Sequence, residues 1–439
     1  MRTALALLAV STCLTACGGG SGAGPTFAGS TPPPATGGGN DGTGHSFVDP
    51  TETRTYQGIG GAQSYSYLVE IGVDPDNGTF IGDSTGHQAQ TYAGNASTAR
   101  NSNIQITYDP RGSLYTLRIA DPASGSNVRT AFQDPAARTD FGGAVEPQWG
   151  VPDLGFQNVT IFEAGDGDPI SPYRRSGSGS VQVGRNDLPS LGSPGSSFQA
   201  VSYFFQNPGS GTDYVTFAGF LRNAYNYSQI TNDDGSIVYQ VNHELTRGAF
   251  AFGERTANQD VPTTGVFDFS GNMLASMLNN PTLDGENGQR LPSFYQWIEG
   301  TADFTVDFAN DEVRDILFAG TVTDPQVDAL TQIGDNFDPN MIYAFVPGGS
   351  RFEAAGEASI DLVNAGGFLG AITSARFLAQ NGNNFADGST VQNLLIEGSS
   401  IDGAFFGPNG EELGGGFRIV GGVPDERIDI LGTFTAGRD

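Results

Sequence analysis

Residues Gly403–Phe417 read GAFFGPNGEELGGGF. Phe405 and Phe406 are neighbours, so in a strand they occupy opposite faces. Gly407, Pro408, Asn409 and Gly410 follow. Proline fixes φ at about −65°, and Asn and Gly accept the left-handed region, so these four residues form a tight turn. Glu411 and Glu412 cap or end it. Gly414, Gly415 and Gly416 let the returning backbone pass close to a neighbour before Phe417 re-enters a core. The stretch reads as a hairpin with structural duties; a ligand-contacting loop is the other reading of the same residues.

Working outward, the same pattern repeats. Thr301–Phe308 is TADFTVDF. Ala302, Phe304, Val306 and Phe308 fall on one side, and Asp303, Thr305 and Asp307 on the other. That period of two marks a half-buried strand. Similar runs occur at Arg247–Thr256, Gly265–Ser270, Val313–Thr323, Ser350–Ile360, Gly370–Leu378, Val391–Gly403, Glu411–Val420 and Ile428–Thr435. Antiparallel strands of this length hide their edges best by closing on themselves. Glycines inside the runs, such as Gly320, Gly356, Gly416 and Gly432, permit the coiling that a small barrel needs. The expectation for residues 246–439 is therefore a small eight-stranded antiparallel β-barrel.

Upstream, residues 47–245 are strand-rich but less regular. Gln63–Ile71, Asn103–Tyr108, Ser113–Ala120, Asn158–Phe162, Phe198–Phe205, Asp213–Tyr227 and Ile230–Val241 read as strands. Asn232-Asp233-Asp234-Gly235 reads as a hairpin turn. The fold class expected for the whole chain is all-β: a strand-rich domain followed by the barrel.

The composition excludes several chemistries. The 439 residues carry 48 acids against 20 basic residues, a formal net charge of −28, and every basic residue is Arg. With no lysine there is no phosphate-loop nucleotidase, pyridoxal Schiff base or lysine-activated serine enzyme. The charge argues against nucleic acid as a partner. Three histidines, His45, His87 and His243, offer no clustered metal site. The expectation is no cofactor and no metal.

Met1–Cys17, MRTALALLAVSTCLTAC, places Arg2 before an apolar run and a small-residue ending. This is a secretory signal, too short to span a bilayer as a stable helix. Its ending resembles a bacterial lipobox, which implies lipidation (palmitate among the chains) of Cys17. Cys13 lies within the signal, so cleavage leaves Cys17 as the sole cysteine and allows no intrachain disulfide. Gly18 after the cysteine resembles the pattern released to the outer membrane. Residues 18–46, rich in Gly and Pro, bury too little to order themselves and form a tether. The membrane is thus an expected partner through the lipid anchor.

Other motifs are weaker. Gly82-Asp83-Ser84-Thr85-Gly86-His87 matches the Gly-x-Ser-x-Gly elbow, which requires a strand–turn–helix setting that no following helical pattern supplies. Asp166-Gly167-Asp168 and Asn232–Gly235 could offer oxygens to calcium, but lack its spaced ligands and distal Glu, so turn chemistry is preferred. No acid pair is singled out as a glycosidase would require. Tyr65, Tyr67, Tyr203, Phe204, Phe205, Tyr225 and Tyr227 are either core packing or a contact surface, including a pocket for haem with Tyr or His243 as axial ligand.

Two stretches carry a family resemblance. Gly403–Phe417 resembles the hairpin signature of the transferrin-binding protein B β-barrel domain family. Gly248–Gly271, GAFAFGERTANQDVPTTGVFDFSG, resembles that barrel's opening, in which an aromatic strand runs through a Pro-Thr-Gly turn into a second one. The resemblance implies one lobe: a handle-like β domain over 47–245 followed by the barrel over 246–439. It implies a surface-exposed lipoprotein of the outer membrane that binds a protein or a small solute such as haem, in iron acquisition and without catalysis. The alternatives are a structural or adhesive lipoprotein, and an integral outer-membrane barrel, against which the lipobox and the non-aromatic end Gly437-Arg438-Asp439 stand.

Overall fold

A computed structural model describes residues 52–73, 80–88, 103–110, 114–120, 127–133, 159–163, 197–206, 211–233, 235, 237–281, 294–323, 326–327, 346–380, 382–385, 388–423 and 426–439. The signal with Cys17, the tether and Asp166-Gly167-Asp168 lie outside these residues.

The described chain is β-structure in two sheets. The first contains β1 (Arg54–Val73), β2 (Phe80–Gln88), β3 (Asn103–Asp109), β4 (Leu114–Ala120), β5 (Asn127–Gln133), β6 (Val159–Glu163), β7 (Ser197–Gln206), β8 (Val215–Thr231) and β9 (Ile237–Gly253). Their order is β5-β4-β3-β1-β9-β8-β7-β6, with β2 laddered onto the far half of β1. All neighbouring pairs are antiparallel. The β8–β9 hairpin turns where the Asn-Asp-Asp-Gly signal stands, with the Gly235 N–H donating to the Asn232 carbonyl at 2.9 Å.

The second sheet holds β10 (Val266–Pro281), β11 (Phe294–Asp307), β12 (Glu312–Val322), β13 (Gln326–Val327), β14 (Arg351–Asp361), β15 (Gly367–Leu378), β16 (Val391–Asn393), β17 (Leu395–Phe406), β18 (Glu412–Val423) and β19 (Glu426–Arg438). The path β10-β19-β18-β17-β15-β14-β12-β11 returns to its start through the β10–β11 ladder, which closes an eight-stranded antiparallel barrel. Short β13 and β16 ladder onto β11 and β15.

The barrel is filled rather than hollow. Ala302, Phe304, Val306 and Phe308 all point inward at 3% exposure or less. Phe318 stacks on Phe417 with centroids 4.3 Å apart, and Phe304 and Phe434 close on it edgewise or tilted at 5.7 and 5.4 Å. Rings of this kind exclude water from the barrel axis and contribute through both area and ring contact.

The structure corrects one boundary. Arg247–Thr256 was expected to open the barrel, but β9 runs unbroken to Gly253 and pairs with β1 and β8 of the first sheet. The physical reason is that this strand is apolar on both faces. Phe250 and Phe252 enter the first sheet's own core with Tyr56, Ile104 and Leu117, while Ala251 packs with Ile59, Val215, Ala404 and Phe406 against the barrel. Ser84 lies inside β2, within a strand and away from any strand–turn–helix elbow.

Replacing Phe318 by Ala should leave a large cavity at the point where four rings meet. The expected cost is about 3–5 kcal/mol, read as a fall in the urea midpoint at unchanged slope; a cost below about 1 kcal/mol would contradict the packed interior.

Candidate functional site: the seam between sheet and barrel

Alternation breaks down in three barrel strands. Residues 399–406 of β17, 412–421 of β18 and 428–436 of β19 are buried on both faces. Their inward residues fill the barrel, and their outward residues are covered by β8, β9 and β1. Residues 215–220 and 246–253 of the first sheet are likewise buried throughout. The two sheets therefore share one continuous seam.

Small residues set how close they come. A Cβ on Gly416 would stand 3.1 Å from the Gly60 Cα, and one on Gly414 would stand 2.8 Å from the Val215 side chain and 3.2 Å from the Ala251 Cβ. These are van der Waals overlaps for any larger residue, so the backbones meet nearly bare. Gly415, on the alternate face, would strike the Asp402 carbonyl at 2.0 Å instead. Phe406 lies in the seam cluster, and Phe405 turns into the barrel against Phe308 and Phe368 at 5.2 and 5.6 Å. Trp297 leaves the barrel on its outer side and meets Phe204 of β7 edge-on at 5.3 Å.

At one end of the seam Glu412 reaches across. Its carboxylate accepts the backbone N–H groups of Asp213, Tyr214 and Val215 at 2.5, 2.7 and 3.0 Å. Three donors from the start of β8 thus converge on one acceptor of β18. The preceding turn is held from behind: Arg438 donates to the carbonyls of Asn409 and Gly410, both at 2.9 Å, and lies over the Phe267 ring at 4.2 Å. Pro408–Gly410 is a short 3-10 turn with Asn409 at φ 54°, and Gly407, at φ 73°, faces the Tyr214 ring. Gly407 is also tied to the linker, its N–H donating to the Glu254 carbonyl and its carbonyl accepting from Thr256 Oγ1.

Further along lies a buried ionic cluster. Asp429 Oδ1 accepts from Arg247 Nη2 at 2.7 Å, and Oδ2 accepts from Arg418 Nη2 at 2.7 Å and from Gln63 Nε2 at 2.8 Å. Arg247 completes its set with Gln63 Oε1 and with the Ser276 carbonyl and hydroxyl. Arg247, Asp429 and Arg418 are exposed by 1%, 0% and 2%. Burial acts to raise the Asp429 pKa, and Arg418 and Arg247 outweigh it, so the carboxyl is held below the usual range. Asp429 and Arg418 belong to the barrel, while Arg247 and Gln63 belong to the first sheet.

The sequence reading assigned Glu411 and Glu412 to capping. The structure gives Glu412 the crossing role and leaves Glu411 exposed, with its carbonyl accepting from the Arg438 N–H. Arg247, Arg418 and Asp429 were missed. Arg418 and Asp429 each stand between two apolar neighbours, Phe417-Arg418-Ile419 and Ile428-Asp429-Ile430, a pattern that by itself reads as an outward-facing charge. Among the described residues no group of three or more His, Cys, Asp or Glu side chains gathers as a metal site would require. No helix among them is long and apolar enough to cross a membrane.

Residues 261–438 match the family model described as the C-lobe and N-lobe beta barrels of Tf-binding protein B. The barrel is similar to those of transferrin-binding protein B. A curated relative, transferrin-binding protein B of Moraxella catarrhalis, is 26% identical over 175 residues, which is 39% of this chain and 19% of the relative. The chain thus spans about a fifth of that relative's length in the match. The solved structure of intact Ap-TbpB with N and C lobes is 13% identical, covering 87% of this chain and 78% of that one with a TM-score of 0.27. The isotype 1 transferrin-binding protein B from serogroup B Neisseria meningitidis is 14% identical, covering 89% and 77%, with a TM-score of 0.24. In this transferrin-binding protein B-like lobe, the quoted hairpin is the piece that joins barrel to sheet.

Asp429→Ala would leave two guanidinium groups buried without their shared carboxylate. The expected loss is about 3–5 kcal/mol, measured by urea unfolding, and a loss under about 1 kcal/mol would contradict the cluster's role. Burial also pushes the Glu412 carboxyl up, the three N–H donors pull it back and nearby Asp213 adds to the rise, and it stands at about 7 against an ordinary 4.5. The folded chain then holds a proton that the unfolded chain releases across this window. The contribution of this group to stability therefore falls as pH rises from about 4.5 to about 7. Glu412→Gln keeps an acceptor oxygen and removes the titration, so the urea midpoint of the variant should vary less over that window than the wild type's; an unchanged slope would contradict it.

Proposed function

We propose that this chain is a lipid-anchored outer-membrane surface protein that captures an iron-carrying protein of the transferrin class without catalysing a reaction. The observation that supports the reading most is the match of residues 261–438 to the transferrin-binding protein B barrel. The docked architecture agrees with it. The described barrel interior is packed with phenylalanine, which leaves loops and the outer faces of a stiff scaffold as the surfaces for binding. Two sheets locked at their seam present those surfaces with little reorganisation, which lowers the entropic cost of association. The Cys17 anchor and the 18–46 tether would hold the scaffold off the membrane at a typical span of roughly 30 Å. The acidic chain suits a ligand with a basic contact face.

Intact cells displaying the full chain should retain labelled transferrin, and the retention should disappear after protease shaving. Cys17→Ser should release the protein from the cell surface and abolish cell-bound transferrin while the secreted chain still binds it. Failure of the wild-type chain to bind transferrin from any vertebrate source would overturn the reading.

A further inference from the structure

At the end of the barrel where β10 stops and β14 begins, the interior turns polar. Asn279 of β10 is two residues beyond Met277 and directly opposite Ile428 of β19, both in the barrel core, so it shares their inward face. Gln296 of β11 is likewise two residues before Ile298 of the core. Both amides are 0% exposed. Ser350 immediately precedes β14, two residues before Phe352 of the core, and is 1% exposed.

The backbone fixes how these amides point. Gln296 Nε2 donates to the Thr323 and Val346 carbonyls at 2.8 and 2.7 Å, and its Oε1 accepts from the Val346 N–H at 3.2 Å. Backbone groups cannot exchange donor for acceptor, so the Gln296 amide has one orientation. Its Oε1 also accepts from Asn279 Nδ2 at 2.9 Å. Turning the Asn279 amide over would set two oxygens against each other, so Nδ2 stays on Gln296 and Oδ1 is directed elsewhere. Among the described residues Asn279 Oδ1 has no hydrogen-bond partner, and neither has Ser350 Oγ. The turn at 346–350 links the two. Val346 packs into the core and is held by Gln296; Gly349 N–H donates to the Val322 carbonyl at 2.8 Å, and the Ser350 carbonyl accepts from the Val322 N–H at 2.8 Å.

A fully buried acceptor with no donor forfeits its hydration and gains nothing in return. Two unpartnered atoms at one mouth, in a barrel otherwise filled with phenylalanine, make a polar site. What Asn279 Oδ1 needs is a donor, and a serine hydroxyl can give or accept. Water meets both demands at the smallest size. We infer that this mouth of the barrel binds ordered water on Asn279 Oδ1 and Ser350 Oγ, with the Gln296 amide fixing the direction of the acceptor. The water fastens the 346–350 turn over the end of the phenylalanine core. No part of this site depends on the proposed capture of a protein ligand, and either can fail alone.

A crystal structure of the full chain at about 1.8 Å should show water within about 3.2 Å of both atoms. Ser350→Ala tests the same site by the sign of its effect. Removing a hydroxyl that has no partner would leave the folding equilibrium unchanged or raise it. Removing one that holds water should lower the equilibrium constant in urea unfolding at least about threefold, and speed hydrogen exchange at the Gly349 amide by a similar factor. Water missing from either atom, or a Ser350→Ala chain as stable as the wild type, would overturn the inference.

Discussion

One carboxylate holds the two halves of this protein in register. Asp429 lies on the outside of the barrel, fully buried, and receives guanidinium groups from both sides of the seam: Arg418 from its own barrel and Arg247 from the sheet above. Such a cluster is costly to desolvate and adds little net stability over an apolar equivalent. What it contributes is position. A sheet gliding over the barrel by one residue would bury Arg247 without its partner, so only one register is tolerated. The glycines at 414 and 416 act toward the same end sterically, because the sheet can approach this closely only where no side chain intervenes. Glu412 then fixes the other end by collecting three backbone donors from Asp213, Tyr214 and Val215 at the entry to β8.

This arrangement explains why the hairpin motif has the composition it does. Phe405 and Phe417 serve the barrel interior, Phe406 and Glu412 serve the seam, and the glycines serve the approach of one to the other. A motif that looks like a turn is a junction between two bodies. The same reasoning accounts for Arg438, whose cation rests over Phe267 and whose donors hold the turn carbonyls in place. A scaffold locked in this way offers its loops and outer faces in a fixed relation, which a flexible pair of domains would not supply.

Much of the fold was legible in the residues. Thr301–Phe308 shows strict alternation because β11 over this stretch has one face in the barrel core and the other toward solvent. The Asn-Asp-Asp-Gly turn announced the β8–β9 hairpin. The boundary at 245/246 was misplaced because β9 is apolar on both faces, and periodicity cannot tell a strand buried between two layers from one that opens a new domain. The seam's charged residues were invisible for a related reason. Arg247, Arg418 and Asp429 are far apart in the chain, and a lone charge in an apolar strand reads as an outward residue until the covering layer is known.

The central claim is that sheet and barrel form one cooperative unit, joined by the seam rather than merely tethered in sequence. Differential scanning calorimetry of the wild-type chain tests this directly. A single transition whose calorimetric enthalpy equals its van't Hoff enthalpy is the result expected. Two resolved transitions, one for each sheet, would contradict it.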